Sequence, residues 1–87
     1  SYMTAYCAAK AAVNMLTRCA ADDLGEFGIR VNAVLPGLVD TDLALPLTAS
    51  EEARRDYLEC MPVSRIGVPG DIGAAVGFLL SDEAGWI

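Results

Sequence analysis

Ile29-Arg30-Val31-Asn32-Ala33-Val34-Leu35-Pro36-Gly37 is the stretch that decides the fold class. Its first seven residues form a short run rich in β-branched and apolar side chains, and Pro36 and Gly37 end it. Such a run predicts a strand buried on both faces, as in a parallel sheet enclosed between layers of helices. We therefore expect an α/β fold.

A long amphipathic helix is predicted before this strand, over about residues 4–27. Apolar residues recur there at steps of three and four, namely Ala9, Ala12, Val13, Leu16, Ala20 and Leu24. Ser1 and Thr4 are candidate caps for its start, and Gly25 and Gly28 are candidates to end it in a left-handed conformation. The small alanine side chains of this helix leave a smooth surface against which another backbone can pack closely.

The segment after the strand, residues 38–47, has no clear hydrophobic period, and we expect a loop. In open α/β sheets, loops at the carboxyl ends of parallel strands carry ligands. The Thr48 to Glu51 spacing of a capping box then predicts a shorter helix over about residues 51–60. Pro69 stands where a third amphipathic helix would begin.

One parallel strand is not a complete sheet, because each strand needs a neighbour to bond with. We therefore expect the chain to be a piece of a larger α/β domain, with strands before Ser1 and after Ile87.

Composition argues against several classes of protein. The 87 residues are 54% hydrophobic and carry a net charge of −6 without histidine, which argues against a nucleic-acid surface. The three cysteines lack paired spacing, so neither a disulfide framework nor a zinc site is predicted. No apolar run approaches a membrane span of about 20 residues, and the first residues lack a basic signal region. We expect a soluble, cytoplasmic protein with no membrane partner.

Tyr6 and Lys10 are the residues best suited to chemistry. On a helix they lie one turn apart on the same face. A nearby ammonium and the positive end of the helix dipole both favour an ionised phenol, which would make Tyr6 a proton donor usable near neutral pH. The alternative is a partly buried tyrosine with its hydroxyl satisfied, beside a lysine that extends along the helix.

Tyr6-Cys7-Ala8-Ala9-Lys10 matches the Tyr-x-x-x-Lys signature of the short-chain dehydrogenase/reductase family, and the later segments follow in that family's order. Residues 29–37 resemble its sixth strand and Pro-Gly turn, and residues 38–41 resemble the segment that touches the nicotinamide. Residues 65–72 and 78–82 resemble its connector and late helix. The resemblance implies a Rossmann-type, doubly wound parallel sheet. Residues 1–87 would be the C-terminal catalytic part of one NAD(P)-binding domain, without the glycine-rich half and the last strand.

The resemblance also implies roles for six residues. Tyr6 would be the general acid and base, and Lys10 would bind the ribose hydroxyls of NAD or NADP beside it, so that both also contact the cofactor. Pro36 and Gly37 would shape the turn beside the nicotinamide. Val39 would meet the carboxamide through its backbone, and Thr41 through its hydroxyl.

Other parts of the family's machinery have no counterpart here. The catalytic serine would precede Ser1, and the catalytic asparagine, the glycine-rich turn and the residue that selects NAD or NADP are missing as well. Thr41 could instead cap a turn. Three leucines of the loop, Leu43, Leu45 and Leu47, could line a substrate pocket or simply pack the shorter helix.

Two functions follow as hypotheses. The first is an NAD(P)-dependent oxidoreductase that interconverts a small-molecule alcohol and a carbonyl compound through Tyr6 and Lys10. The second is an inactive piece of such an enzyme, or an oligomerisation or scaffold element, because the helix over residues 4–27 is a good partner surface. In the family the corresponding helix packs against its symmetry mate, so a homo-oligomer, dimer or tetramer, is expected at full length.

Overall fold

The structure is a computed structural model that describes residues 3–87, with Leu47 described by its backbone alone. Its helices are α1 (Met3–Gly25), α2 (Leu45–Thr48), α3 (Glu51–Glu59) and α4 (Pro69–Leu80), with short 3-10 turns at Asp42–Ala44 and Asp82–Ala84. The chain divides into two compact units. One comprises the residues up to Ala33 together with Leu79–Ile87, and the other is Val34–Phe78.

Helix α1 confirms the long amphipathic helix predicted from the apolar period. It ends in a turn in which the Ile29 N–H reaches back to the Leu24 carbonyl at 3.3 Å. Gly28 takes the left-handed conformation there, with φ of +73°, which glycine adopts without a Cβ clash. Gly28 is thus the terminating glycine of the two candidates. Thr4 lies inside the helix and does not cap it, and Ser1 lies outside the described residues.

The predicted strand over residues 29–35 is wrong for the chain as the structure describes it. Residues 29–38 have no regular secondary structure, and Leu35 is 73% exposed rather than buried. A strand is held by hydrogen bonds to a neighbouring strand. Within residues 3–87 the β pairing is limited to one isolated parallel bridge between Val39 and Gly67. Residues 29–35 are rich in β-branched side chains, but without a neighbouring strand in the described part of the chain they form no regular strand.

The two polar side chains of this stretch bind the end of the chain. The Arg30 guanidinium donates to the carbonyl oxygens of Leu79, Ser81 and Ile87 at 2.8, 3.2 and 3.3 Å. The Asn32 amide donates to the Ile87 carbonyl at 3.0 Å. Carbonyls at the C-terminus of a helix lack intrahelical donors, so Arg30 satisfies the Leu79 carbonyl in the last turn of α4 and also binds two carbonyls that follow the helix.

The loop predicted over residues 38–47 is shorter than expected. The 3-10 turn and α2 occupy its second half, and Pro46 lies in the first turn of α2, where its missing N–H costs nothing. The predicted capping box is also wrong. Ser50, not Thr48, caps α3, because its hydroxyl accepts the Ala53 N–H at 3.0 Å. The Thr48 hydroxyl is buried and donates to the Ala44 carbonyl at 3.2 Å.

Helix α4 begins at Pro69, as predicted, and Asp71 secures its start. The Asp71 carboxylate accepts the Val68 N–H at 2.8 Å and a paired hydrogen bond from Arg65 at 2.7 and 2.9 Å. The Arg65 hydrogen bond, followed by that from Val68, lowers the pKa of Asp71 from its ordinary 3.8 to about 2. Asp71 also raises the pKa of Arg65.

Few side chains are buried in either unit. Among the described residues the buried apolar ones are Ile66 and Ala84, whereas Val13 and Leu16 on the apolar face of α1 are exposed. None of the helices within residues 3–87 is long and apolar enough to cross a membrane.

Candidate functional site

Tyr6 and Lys10 lie on one face of the first turns of α1. The Lys10 ammonium is positioned over the Tyr6 ring, with its Nζ 5.6 Å from the ring centroid. This distance is within the range of a cation–π contact. Tyr6 is 57% exposed, and its hydroxyl has no hydrogen-bond partner among residues 3–87. The alternative, a partly buried tyrosine with its hydroxyl satisfied, requires a hydrogen-bond partner for that hydroxyl, and the described residues supply none.

The other four predicted site residues lie in one segment of the second unit, Pro36 to Thr41. Gly67 holds this segment from one side. Its N–H donates to the Leu38 carbonyl at 3.1 Å, and its carbonyl accepts the Asp40 N–H at 2.8 Å. Together these two bonds make the parallel bridge between Gly67 and Val39.

The bridge leaves the backbone of Val39 itself available. In a parallel pairing the bonds come from the residues on either side of the bridged one, so its own N–H and C=O point away from the partner. Neither group of Val39 has a partner in the described part of the chain. Val39 thus presents one donor and one acceptor, the combination that a primary carboxamide requires.

Thr41 follows in extended backbone, with φ of −136° and ψ of 167°, just before the 3-10 turn. Its carbonyl accepts the Ala44 N–H at 3.0 Å, but its hydroxyl makes no capping hydrogen bond. Thr41 therefore occupies a capping position without using its side chain there. The hydroxyl is exposed and available to a ligand.

Tyr57 of α3 contacts this segment and was not among the residues predicted for the site. Its hydroxyl accepts the Leu38 N–H at 3.0 Å. A Cβ at Gly37 would lie 3.3 Å from the same oxygen, so glycine allows this close approach. In the sequence, no spacing rule connects Tyr57 with Leu38.

Two further features border the segment. Arg54 of α3 lies 3.8 Å from the Asp40 carboxylate, with both side chains well exposed, which makes a weak ion pair. Leu43 is 95% exposed and Leu45 is 49% exposed, so neither is a core residue. The contact of these leucines with substrate stays a prediction. The side chain of Leu47 is not among the described parts of the structure.

Comparison with known proteins decides the family. A family model described as Enoyl-(Acyl carrier protein) reductase matches residues 1–87. The solved structure of a short-chain type dehydrogenase/reductase from Mycobacterium ulcerans superposes with a TM-score of 0.84 at 44% identity, over 90% of this chain and 28% of that one. The chain belongs to the short-chain dehydrogenase/reductase family. The resemblance predicted from Tyr6, Lys10 and the ordered segments after them is confirmed.

Curated short-chain dehydrogenase/reductase relatives align over nearly the whole chain. L-xylulose reductase of Caenorhabditis elegans is 43% identical over 93% of this chain and 32% of its own length. 7alpha-hydroxysteroid dehydrogenase of Escherichia coli K12 is 44% identical over 98% of this chain and 33% of its own length. The chain thus spans about a third of the length of these relatives. The structural neighbours support a Rossmann-type fold class, although residues 3–87 form no sheet of their own.

Proposed function

We propose that the full-length protein containing this chain is an NAD(P)-dependent oxidoreductase that interconverts a small-molecule alcohol and the matching carbonyl compound. The observation that carries the proposal is the exposed Tyr6 phenol with the Lys10 ammonium beside its ring, in a chain of the short-chain dehydrogenase/reductase family. NAD or NADP would supply or accept the hydride when bound. The chain's own residues would handle the proton and the orientation of the cofactor.

Tyr6 is proposed as the general acid and base. In the reductive direction its hydroxyl would donate a proton to the substrate oxygen, and in the oxidative direction the phenolate would take that proton back. The Lys10 ammonium would stabilise the phenolate form and donate hydrogen bonds to the ribose hydroxyls. Both groups lie near the N-terminus of α1, where the helix dipole also stabilises a negative charge.

The segment from Pro36 to Thr41 is proposed to orient the nicotinamide. The unpaired N–H and C=O of Val39 match the acceptor and donor of the carboxamide, and the Thr41 hydroxyl adds a third polar contact. Pro36 and Gly37 would shape the turn that leads into these groups. A few fixed polar atoms in a mainly apolar wall are what orients such a ring.

The proposed substrate class is consistent with the names of the relatives. These include a xylulose reductase, hydroxysteroid dehydrogenases and a 2-(S)-hydroxypropyl-CoM dehydrogenase from Xanthobacter autotrophicus, which is 47% identical over 98% of this chain and 35% of its own length. Each of these names denotes a hydroxyl or carbonyl compound. We propose the same class here, in the cytoplasm.

A second candidate function is an oligomerisation or scaffold role without catalysis. The exposed apolar residues of α1, Val13 and Leu16, favour a partner surface. The same surface is compatible with a catalytic homo-oligomer, a dimer or tetramer, so the two candidates differ in turnover rather than in assembly.

Replacement of Tyr6 distinguishes them. Tyr6→Phe in the full-length protein is expected to reduce turnover by at least about 100-fold, because the proton donor is lost, while NAD(P)H binding stays nearly unchanged. Cys7→Ser, an exposed neighbour, is the control and should retain activity. Turnover close to that of the parent in Tyr6→Phe would refute the catalytic assignment, and an inactive parent that still oligomerises would favour the scaffold.

A further inference from the structure

We propose that Tyr57 is a positioning residue for the cofactor, which it would orient through the backbone of Leu38 and Val39. The inference rests on the proposed function, because it concerns the segment assigned to the nicotinamide. It adds a residue of α3 that the Tyr-x-x-x-Lys series does not include.

The contact is specific and reaches across the sequence. The Tyr57 hydroxyl and the Leu38 N–H are separated by 19 positions and lie 3.0 Å apart. Tyr57 and Leu38 are both partly buried, so water competes poorly for this N–H. A Cβ at Gly37 would lie only 3.3 Å from the Tyr57 hydroxyl oxygen, so glycine at this position leaves room for the phenol beside Leu38.

Tyr57 completes a set of bonds that isolates Val39. The Gly67 N–H donates to the Leu38 carbonyl, and the Gly67 carbonyl accepts the Asp40 N–H. The Tyr57 hydroxyl accepts the Leu38 N–H. The peptide groups around Val39 are therefore fixed, whereas its own donor and acceptor are left for a ligand. Fixing these groups before the ligand arrives lowers the entropy lost on binding.

The hydroxyl oxygen, rather than the ring, carries this role. Phenylalanine would keep the ring and its packing but would leave the Leu38 N–H without its acceptor. A partly buried N–H without an acceptor favours rearrangement of the peptide toward water. The rearrangement would turn the adjoining Val39 groups away from the geometry that a carboxamide needs.

The experiment compares Tyr57→Phe with the parent in the full-length protein. NADH or NADPH binding, titrated by fluorescence, is expected to weaken about three- to tenfold, the usual effect of one lost hydrogen bond. The turnover rate at saturating cofactor should change less than the KM for the cofactor. In the cofactor-free protein, amide hydrogen exchange at Leu38 should become faster. Asp56→Asn, an exposed neighbour on α3, is the control and should alter none of these.

Two measurements test the positioning role of Tyr57 directly, namely cofactor affinity and exchange of the Leu38 amide. A cofactor dissociation constant within twofold of the parent, or unchanged exchange at Leu38, would overturn the positioning role. If Tyr57→Phe does not fold, exchange in the unsubstituted protein still tests the inference, because an unprotected Leu38 amide would overturn it. Tyr6→Phe in the same assay separates the two proposals. If Tyr6→Phe loses turnover and Tyr57→Phe binds the cofactor normally, only the role of Tyr57 is refuted. If Tyr6→Phe retains turnover, the proposed function is refuted.

Discussion

Gly67 forms backbone hydrogen bonds on both sides of Val39, donating to the Leu38 carbonyl at 3.1 Å and accepting from the Asp40 N–H at 2.8 Å. A Cβ built on Gly67 would lie 3.3 Å from the Leu38 carbonyl oxygen and 3.7 Å from Cγ2 of Val39. The glycine is thus required by a close approach of two backbones, and its φ is not positive.

Gly67→Ala is therefore expected to weaken cofactor binding. The new methyl group would press on a backbone oxygen that cannot rotate away, so the bridge would have to lengthen and Val39 would shift. We expect a several-fold increase in the dissociation constant for NAD(P)H and a loss of about 0.5–3 kcal/mol in the free energy of unfolding. Cofactor titration and thermal or denaturant unfolding measure the two effects.

Gly77→Ala is the matched control for this substitution. Gly77 lies inside α4, and a Cβ there meets nothing within 4 Å. Alanine in an exposed helix interior is more favourable than glycine by up to about 1 kcal/mol, so Gly77→Ala should be neutral or stabilising and should leave cofactor binding unchanged. Equal effects of the two substitutions would contradict the special role of Gly67.

Lys10 offers a second prediction about chemistry. Lys10→Met keeps a similar chain length and removes the ammonium beside the Tyr6 ring. We expect kcat/KM to fall by at least about 100-fold if Lys10 assists proton transfer at Tyr6 as proposed, and cofactor binding to weaken through loss of the proposed ribose contacts. Steady-state kinetics and fluorescence titration check both parts.

Arg18→Gln is the control for Lys10, because it removes another positive charge from α1 at an exposed position. It should leave kcat/KM within about twofold of the parent, since an exposed charge two turns away is largely screened. A comparable loss in both variants would point to a general effect of net charge and would contradict the proposed role of Lys10.

The sequence sufficed where local rules decide the structure. The long helix α1, a left-handed glycine after it and the start of α4 at Pro69 each depend on a few neighbouring residues, and all three predictions are confirmed, with Gly28 as the left-handed one of the two candidate glycines. The cap of α3 was missed because Thr48 and Ser50 are both good caps, but Thr48 ends α2, where its hydroxyl donates to the Ala44 carbonyl, and Ser50 directly precedes α3. The unpredicted helix α2, rather than intrinsic capping preference, thus distinguishes the two side chains.

The remaining differences come from contacts between distant positions. The run over residues 29–35 has strand-forming residues but no partner strand among residues 3–87, and strand formation requires one. The Tyr57 hydroxyl accepts the N–H of Leu38, which is 19 positions away in the sequence, and hydrophobic periodicity carries no information about such a contact. Local motifs located the candidate site, whereas the groups that hold it in place became visible only in the structure.

The Arg65–Asp71 pair leads to a prediction about acid stability. Because the hydrogen bonds of Arg65 and Val68 lower the pKa of Asp71 from 3.8 to about 2, the folded protein binds its proton less readily than the unfolded chain. The unfolded state therefore holds more protons between these values, and stability rises with pH across that window. The stabilisation by Asp71 is fully present above pH 3.8 and is lost as the pH falls toward 2. Asp71→Asn should therefore be less stable than the parent at neutral pH.

The difference between Asp71→Asn and the parent should shrink as the pH falls through this window, because the parent's carboxylate becomes protonated as well. Asparagine can still accept the Val68 N–H, but it offers Arg65 no charge, so the loss reports mainly the ion pair. Denaturant unfolding across the acid range, with an NMR titration of the Asp71 carboxyl, measures both quantities. Asp56→Asn is the control, since Asp56 has no ion-pair partner among the described residues. A stability difference that stays constant down to about pH 2 would contradict the lowered pKa.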